Sequence, residues 1–205
     1  MRDLAETIQT APCRAYFNAW QSWRGENLVP VRSQVHIEDI APHLQWLAVL
    51  EVISLEEIIF RLAGTGLTRS RGYDYTGMNY VEMCPVEDRS IYARTSLAIV
   101  RHPVGRHFFI DFELENGKHA RTELLSLPVY SDDPEKPPQI FNMRYQIDHS
   151  DPYTTHDPDN LIPLADEDRF VDIGAGFPPD HEALNAHLRQ IIVSNNQDKN
   201  TEETK

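Results

Sequence analysis

The residues most capable of chemistry sit in Arg61-Leu62-Ala63-Gly64-Thr65-Gly66, where two glycines follow a strand-like run and precede Arg69 and Arg71. A glycine-rich turn opening a helix cradles a phosphate through free backbone amides and the helix dipole. Here the third glycine of a dinucleotide fingerprint is replaced by Arg69, and the next stretch, TRSRGYDYTGMNY, has no helical apolar stripe. The glycines therefore predict a strand end and a sharp turn.

The histidines at 36, 43, 102, 107, 119, 149, 156, 181 and 187 are scattered singly, with no His-x-x-x-His pair on a predicted helix, so no metal site is expected. His102 and His107 are the nearest candidates for a haem ligand, and their place around a proline turn disfavours haem. Cys84 lies where a flavin photosensor would need a reactive thiol, but Met83 and Pro85 beside it do not give the context such photoreceptors show. No Gly-x-Ser-x-Gly elbow occurs, and Asp148-His149-Ser150-Asp151 are too close in sequence to fix a triad alone. No catalytic residue is expected. An enzyme on the same scaffold would draw on Arg94, Asp111 or His107, and the face assigned to Asp111 below points it away from a cavity.

The chain has 205 residues, 40% hydrophobic and 25% charged, which bounds it to a soluble globular protein of one main domain. A net charge of −13 repels nucleic acid and anionic lipid, so neither is an expected partner. No apolar run is long enough to span a membrane, and the acidic start lacks the apolar core of a secretory signal. Two cysteines without CxxC spacing fit reduced thiols and a cytoplasmic location.

Tyr16, Phe17, Trp20 and Trp23 recur at helical intervals between Pro12 and Gly25, which predicts an amphipathic helix with an aromatic face. Ile37, Ile40, Leu44 and Leu47 suggest a second, shorter one. Residues 47–54 and 58–64 then read as a strand hairpin, 65–86 as short turns and loops, and 87–102 as the long helix of the chain. Three more strands are predicted at 106–114, 119–130 and 139–147, the first two joined through Asn116-Gly117. Beyond an irregular stretch from Asp148, Arg169 to Ile173 reads as a short extended piece, 181–194 as a helix, and the polar end as disordered. Helices, then two strands, one long helix and three strands make an α+β fold with a mainly antiparallel sheet.

Period-two alternation assigns Glu51, Arg61, Asp111, Glu113, Arg121, Glu123, Arg144 and Gln146 to one face of that sheet. The other face collects Leu50, Val52, Phe60, Leu62, Phe108, Ile110, Phe112, Leu124, Phe141, Met143, Tyr145 and Ile147. The long helix, with Ile91, Tyr92, Leu97 and Ile99, is expected to roof the apolar face. Val49, Ile53, Ile59, Leu125 and Leu127 fall on the charged face, so part of it needs shielding by the aromatic helix or by a second subunit.

Trp20 and Trp23 ahead of Gly25, Pro30-x-Arg32-Ser33, Leu44-x-x-Leu47-x-x-Leu50-Glu51 and Phe60-Arg61-Leu62-Ala63-Gly64-Thr65, with Thr76-Gly77-Met78 behind, form an ordered set. Over roughly residues 14–147 the chain resembles the bacterial PAS-like family that carries a helical N-terminal extension. The resemblance implies a five-stranded antiparallel sheet with helices on one face. It also implies a module that senses a small ligand, redox state or light between sheet and long helix, or serves as a docking and dimerisation surface, without catalysis.

On that footing residues 1–46 are an N-terminal helical extension, 47–148 a PAS-like core, and 149–205 a C-terminal extension. The expected ligand-binding residues are Phe60, Leu62, Tyr92, Leu97, Phe108, Ile110 and Leu124. No cofactor is identifiable; a small organic ligand is the occupant such a cavity would admit. The chain shows no kinase, cyclase or DNA-binding segment, so output is expected through an unidentified protein partner, with a homodimer as the assembly. A pure interaction protein with a filled core is the remaining alternative.

Overall fold

The computed structural model describes residues 4–113, 119–147 and 169–188. Its centre is an antiparallel sheet of six strands in the order β2-β1-β5-β4-β3-β6. The strands are β1 (Leu47–Val52), β2 (Ile58–Ala63), β3 (Gly105–Glu113), β4 (His119–Val129), β5 (Gln139–Gln146) and β6 (Arg169–Val171). Five match the expected strands within two residues. The sixth is the short extended piece, which pairs with β3 and extends the sheet by one strand. The Asn116-Gly117 turn, the Asp148 to Asp151 cluster and the polar tail lie outside the described residues.

Helices α1 (Leu4–Thr7) and α2 (Ala11–Arg24) precede the sheet, α3 (Thr65–Arg71) and α4 (Arg89–Arg101) interrupt it, and α5 (181–188) follows it. The Thr10 side chain caps α2 by accepting from the Cys13 amide, Pro12 occupies the first turn, and Gly25 at φ 53° ends it. The expected second helix forms as a 3-10 stretch over Ile37–Trp46, because Pro42 removes a backbone donor and Ile40 leaves helical geometry.

Helices cover both faces of the sheet. α4 buries Ile91, Tyr92, Ile99 and Val100 against Ala48, Leu50, Val52, Phe60 and Ile140. On the opposite face α2 buries Tyr16, Phe17, Trp20 and Trp23 against Leu47, Val49, Leu125, Leu127, Phe141 and Met143. The aromatic helix is thus the shield that Val49, Leu125 and Leu127 require. Its rings also hydrogen-bond the sheet: the Tyr16 hydroxyl donates to the Phe141 carbonyl and Trp20 Nε1 to the Pro128 carbonyl, each at 2.9 Å.

The double cover explains why the phase expected for β5 is reversed. Phe141 and Met143 point to α2, not to α4, while Arg144 stands opposite Leu124 on the α4 side. With apolar cover on both faces, greasy residues occupy both phases of a strand and alternation no longer tells them apart. The charged phase of β1 and β2 is as expected: Arg61 Nε donates to Glu51 Oε2 at 2.9 Å.

Gly64 and Gly66 are packing positions. Gly64 ends β2 and precedes α3, and a Cβ there would come within 2.4 Å of the Gln45 carbonyl oxygen. A Cβ on Gly66 would meet the Trp46 ring at 2.9 Å. The glycines let α3 sit against the end of the 3-10 stretch.

Candidate functional site

The side of the sheet facing α4 is where the seven expected ligand residues were placed, and the structure divides them. Phe60, Tyr92 and Leu97 belong to the large core with Tyr75 and Tyr80. Phe108, Ile110 and Leu124 form a separate buried cluster on the same side. Leu62 is 42% exposed, carried out of line where the β1–β2 register shifts next to Leu50.

Between β2 and α4 the aromatic rings run edge to face. Phe60 meets Tyr75 at 4.7 Å and Tyr80 at 5.9 Å between centroids, and Tyr80 meets Tyr92 at 6.2 Å. Burial raises the hydroxyl pKa of both Tyr75 and Tyr80, so both stay protonated donors.

Beside these rings lies a polar row that the sequence reading missed. Arg106 of β3 stands opposite Ser126 of β4, which stands opposite Asn142 of β5, and the Asn142 amide donates to the Ser126 hydroxyl at 2.8 Å. Arg106 is buried, with its guanidinium 4.3 Å from the centroid of the Phe108 ring. One row along, Arg144 faces the same side. Burial, and after it the neighbouring charge of Arg71, lowers its pKa to about 10, while Tyr75 acts in the other direction. Arg106 alternates in step with Phe108 and Ile110, which was the signal available for it. Arg144 had none, because apolar residues occupy both phases of its strand.

On the α2 side a second polar group is fully enclosed. His107 Nε2 lies 2.8 Å from Glu123 Oε1, and neither side chain is exposed. The Gln9 amide donates to Glu123 Oε1 at 2.8 Å and the Thr10 amide to Oε2 at 2.7 Å. Arg169 Nη2 reaches His107 Nδ1 at 3.1 Å. A guanidinium only donates, so Nδ1 must accept and Nε2 carries the proton that goes to Glu123. Burial works to raise the Glu123 pKa, but the hydrogen bonds from His107, Thr10 and Gln9 outweigh it and hold the carboxyl below its usual range.

The other chemistry-bearing residues are dispersed. Arg94 pairs with Asp180 at 3.1 Å on the surface, across the sheet from His107. The Cys84 thiol donates to the Tyr80 carbonyl at 3.2 Å, and burial pushes its pKa up to about 12. Among the described residues no three His, Cys, Asp or Glu gather as a metal site, and no helix is long and apolar enough to cross a membrane.

No curated protein matches the sequence. Among solved structures, the Rhodobacter sphaeroides LOV protein is similar at 19% identity and TM-score 0.35, over 51% of this chain and 61% of that one. An RsLOV d2 variant is similar at 15% identity and TM-score 0.35, over 51% of this chain and 60% of its own. Both matches leave more than a third of the neighbour's length unmatched. The PAS domain family matches residues 8–142, a span that begins ahead of α2 and ends within β5. With well over half of its length matched and an antiparallel sheet carrying a long helix on one side, this chain belongs to the PAS domain family of sensory modules.

Proposed function

We propose that the chain is a regulatory PAS module that signals through protein association, with a second copy of itself as the first partner and no catalytic step of its own. The observation that carries this reading is a set of exposed apolar side chains on the β2 side of the molecule. Ile53 and Leu55 project from the β1–β2 turn, Leu62 from β2, and Met78 from the segment whose carbonyl accepts from the Phe60 amide at 3.0 Å. That segment pairs along β2 through residues 77–80, so association there would proceed through side chains and not by strand addition.

The groups an enzyme would use diverge. Arg94 is engaged at the surface, and His107 has both ring nitrogens engaged on the other side of the sheet. The same two bonds leave His107 no nitrogen for haem iron. A second reading, a small organic ligand beneath α4, is favoured by Arg144, which makes no hydrogen bond or ion pair to another described residue.

Light scattering on the wild type and on a Leu55→Asp, Leu62→Asp variant tests the association. A dimer that becomes a folded monomer is the expected result. A monomeric wild type, or a dimer indifferent to both substitutions, overturns it. For the second reading, ligand-induced shifts of the Phe108 and Leu124 resonances are the expected sign, and their absence across a broad metabolite panel removes it.

A further inference from the structure

On the side of the sheet away from α4, the chain that leaves β6 faces α1 and α2 across a cavity of about 530 Å³. That size falls within the roughly 300–1,000 Å³ of ordinary small-molecule sites. Leu4, Phe17 and Ile173, all buried, supply apolar wall, and Arg24 of α2 and Arg169 of β6 supply charge.

Among the described residues the two guanidiniums have few partners. Arg24 Nη1 donates to the Ile173 carbonyl at 3.1 Å and the Leu28 carbonyl at 3.4 Å, and its charge lies 5.4 Å from the Trp20 ring. Its Nε is buried and has no hydrogen-bond partner among the described residues. Arg169 donates to His107 Nδ1. Neither is in an ion pair with a described residue, although the chain as a whole carries a net charge of −13. The carboxylate among the lining residues, Asp172, is turned to its own loop, where Oδ1 accepts from the Gly174 amide at 2.7 Å and the Gly176 amide at 2.9 Å. Two cations in an apolar-walled recess, with the acid among the described lining residues occupied elsewhere, present forked donors of the shape a carboxylate accepts.

We propose that this cavity binds a small organic carboxylate with an aliphatic tail, the head at Arg24 and Arg169 and the tail against Leu4, Phe17 and Ile173. The site is independent of the surface along β2 and lies on the opposite face from the polar row under α4. It also has a route to the rest of the molecule. Arg169 bonds His107, His107 bonds Glu123, and Glu123 holds the Gln9 and Thr10 amides, the last being the residue that caps α2. A head group that draws on Arg169 therefore acts at one end of a continuous hydrogen-bonded chain ending at the start of the aromatic helix.

The test is an NMR titration of the full chain with straight-chain carboxylates from butyrate to dodecanoate, with octanamide and inorganic phosphate as the neutral-head and tail-free arms. The expected result is saturable binding within the carboxylate series, with shifts centred on Phe17 and Ile173 and not on Phe108 or Leu124. Octanamide should bind at least about tenfold more weakly than octanoate, since it lacks the charged head. Arg24→Gln and Arg169→Gln should each weaken octanoate by about tenfold, while Arg61→Gln, on the surface pair with Glu51, should not. If Arg169→Gln fails to fold, Arg24→Gln and the wild-type shift map decide. No binding across the series, equal binding of octanamide, phosphate binding as tight as octanoate, or shifts confined to the α4 side each overturn the proposal.

Discussion

His107 donates from Nε2 to Glu123 Oε1 across 2.8 Å, and both side chains are wholly enclosed beneath the N-terminal segment. His107 stands directly opposite Leu125 in the β3–β4 register, and Glu123 is its diagonal neighbour two residues along. The carboxylate charge is balanced through a neutral imidazole by Arg169, so two side chains from two other strands, with two backbone amides, satisfy one buried charge.

That arrangement makes stability depend on acid in a set direction. The folded pKa of Glu123 lies below its unfolded value, so the contribution is present above about pH 4.5 and is lost as pH falls through the folded value. Glu123→Gln should lower stability at neutral pH by about 1–3 kcal/mol, because its amide nitrogen cannot accept one of the bonds that the carboxylate takes from His107, Gln9 and Thr10. The same variant should show a shallower fall below that pH. Urea midpoints at neutral and acid pH check both, and an unchanged acid slope contradicts the assignment.

The α2 aromatics should act through two separable terms. Tyr16→Phe keeps the ring and removes only the donor to the Phe141 carbonyl, with an expected loss of about 1 kcal/mol. Trp20→Ala removes both the packing and the bond to Pro128, and should cost about 3–5 kcal/mol. Equal losses from the two in chemical denaturation would mean that α2 is not packed against the sheet as described.

Gly64→Ala should be destabilising although the backbone there, at φ −61°, suits alanine. The added methyl meets the Gln45 carbonyl, which belongs to the backbone and cannot swing aside, and overpacking of this kind costs about 1–3 kcal/mol. A neutral or stabilising result in thermal unfolding would show that α3 and the 3-10 stretch are further apart.

Both cysteines should be slow to react in the folded protein. Cys13 and Cys84 are buried, and burial is the leading reason that both thiol pKa values are raised. Labelling with a thiol-specific disulfide reagent should be slow for both in buffer and fast for both in denaturant. Rapid modification of Cys84 in buffer would reopen the question of a reactive thiol in that segment.

Much of the architecture was legible in residue patterns because the relevant physics is local. Pro12, the aromatic spacing and Gly25 define α2, and the breaks around 55–57 separate β1 from β2. The long helix over 89–101 is marked by its periodicity and by Pro103. Even the need for a cover over Val49, Leu125 and Leu127 could be read, since apolar side chains on a charged face must be shielded. The candidate sites were less legible. Alternation puts Arg144 on the wrong face because β5 is covered on both sides, and it puts Glu123 on the charged face with no sign of burial, because nothing local announces a carboxylate that will be enclosed.

Sequence by itself determined the element order, the α+β class and the segments that must be amphipathic, since these follow from dihedral preferences and short-range periodicity. Only the tertiary structure decided which phase of β5 meets which helix, that β6 joins the edge at β3, and that Arg24 and Arg169 share one cavity. It also decided that Arg169, His107 and Glu123 meet. Those outcomes depend on pairings between residues up to 149 positions apart, as for Arg24 and Ile173, and a burial energy shared among distant segments leaves no mark in any one of them.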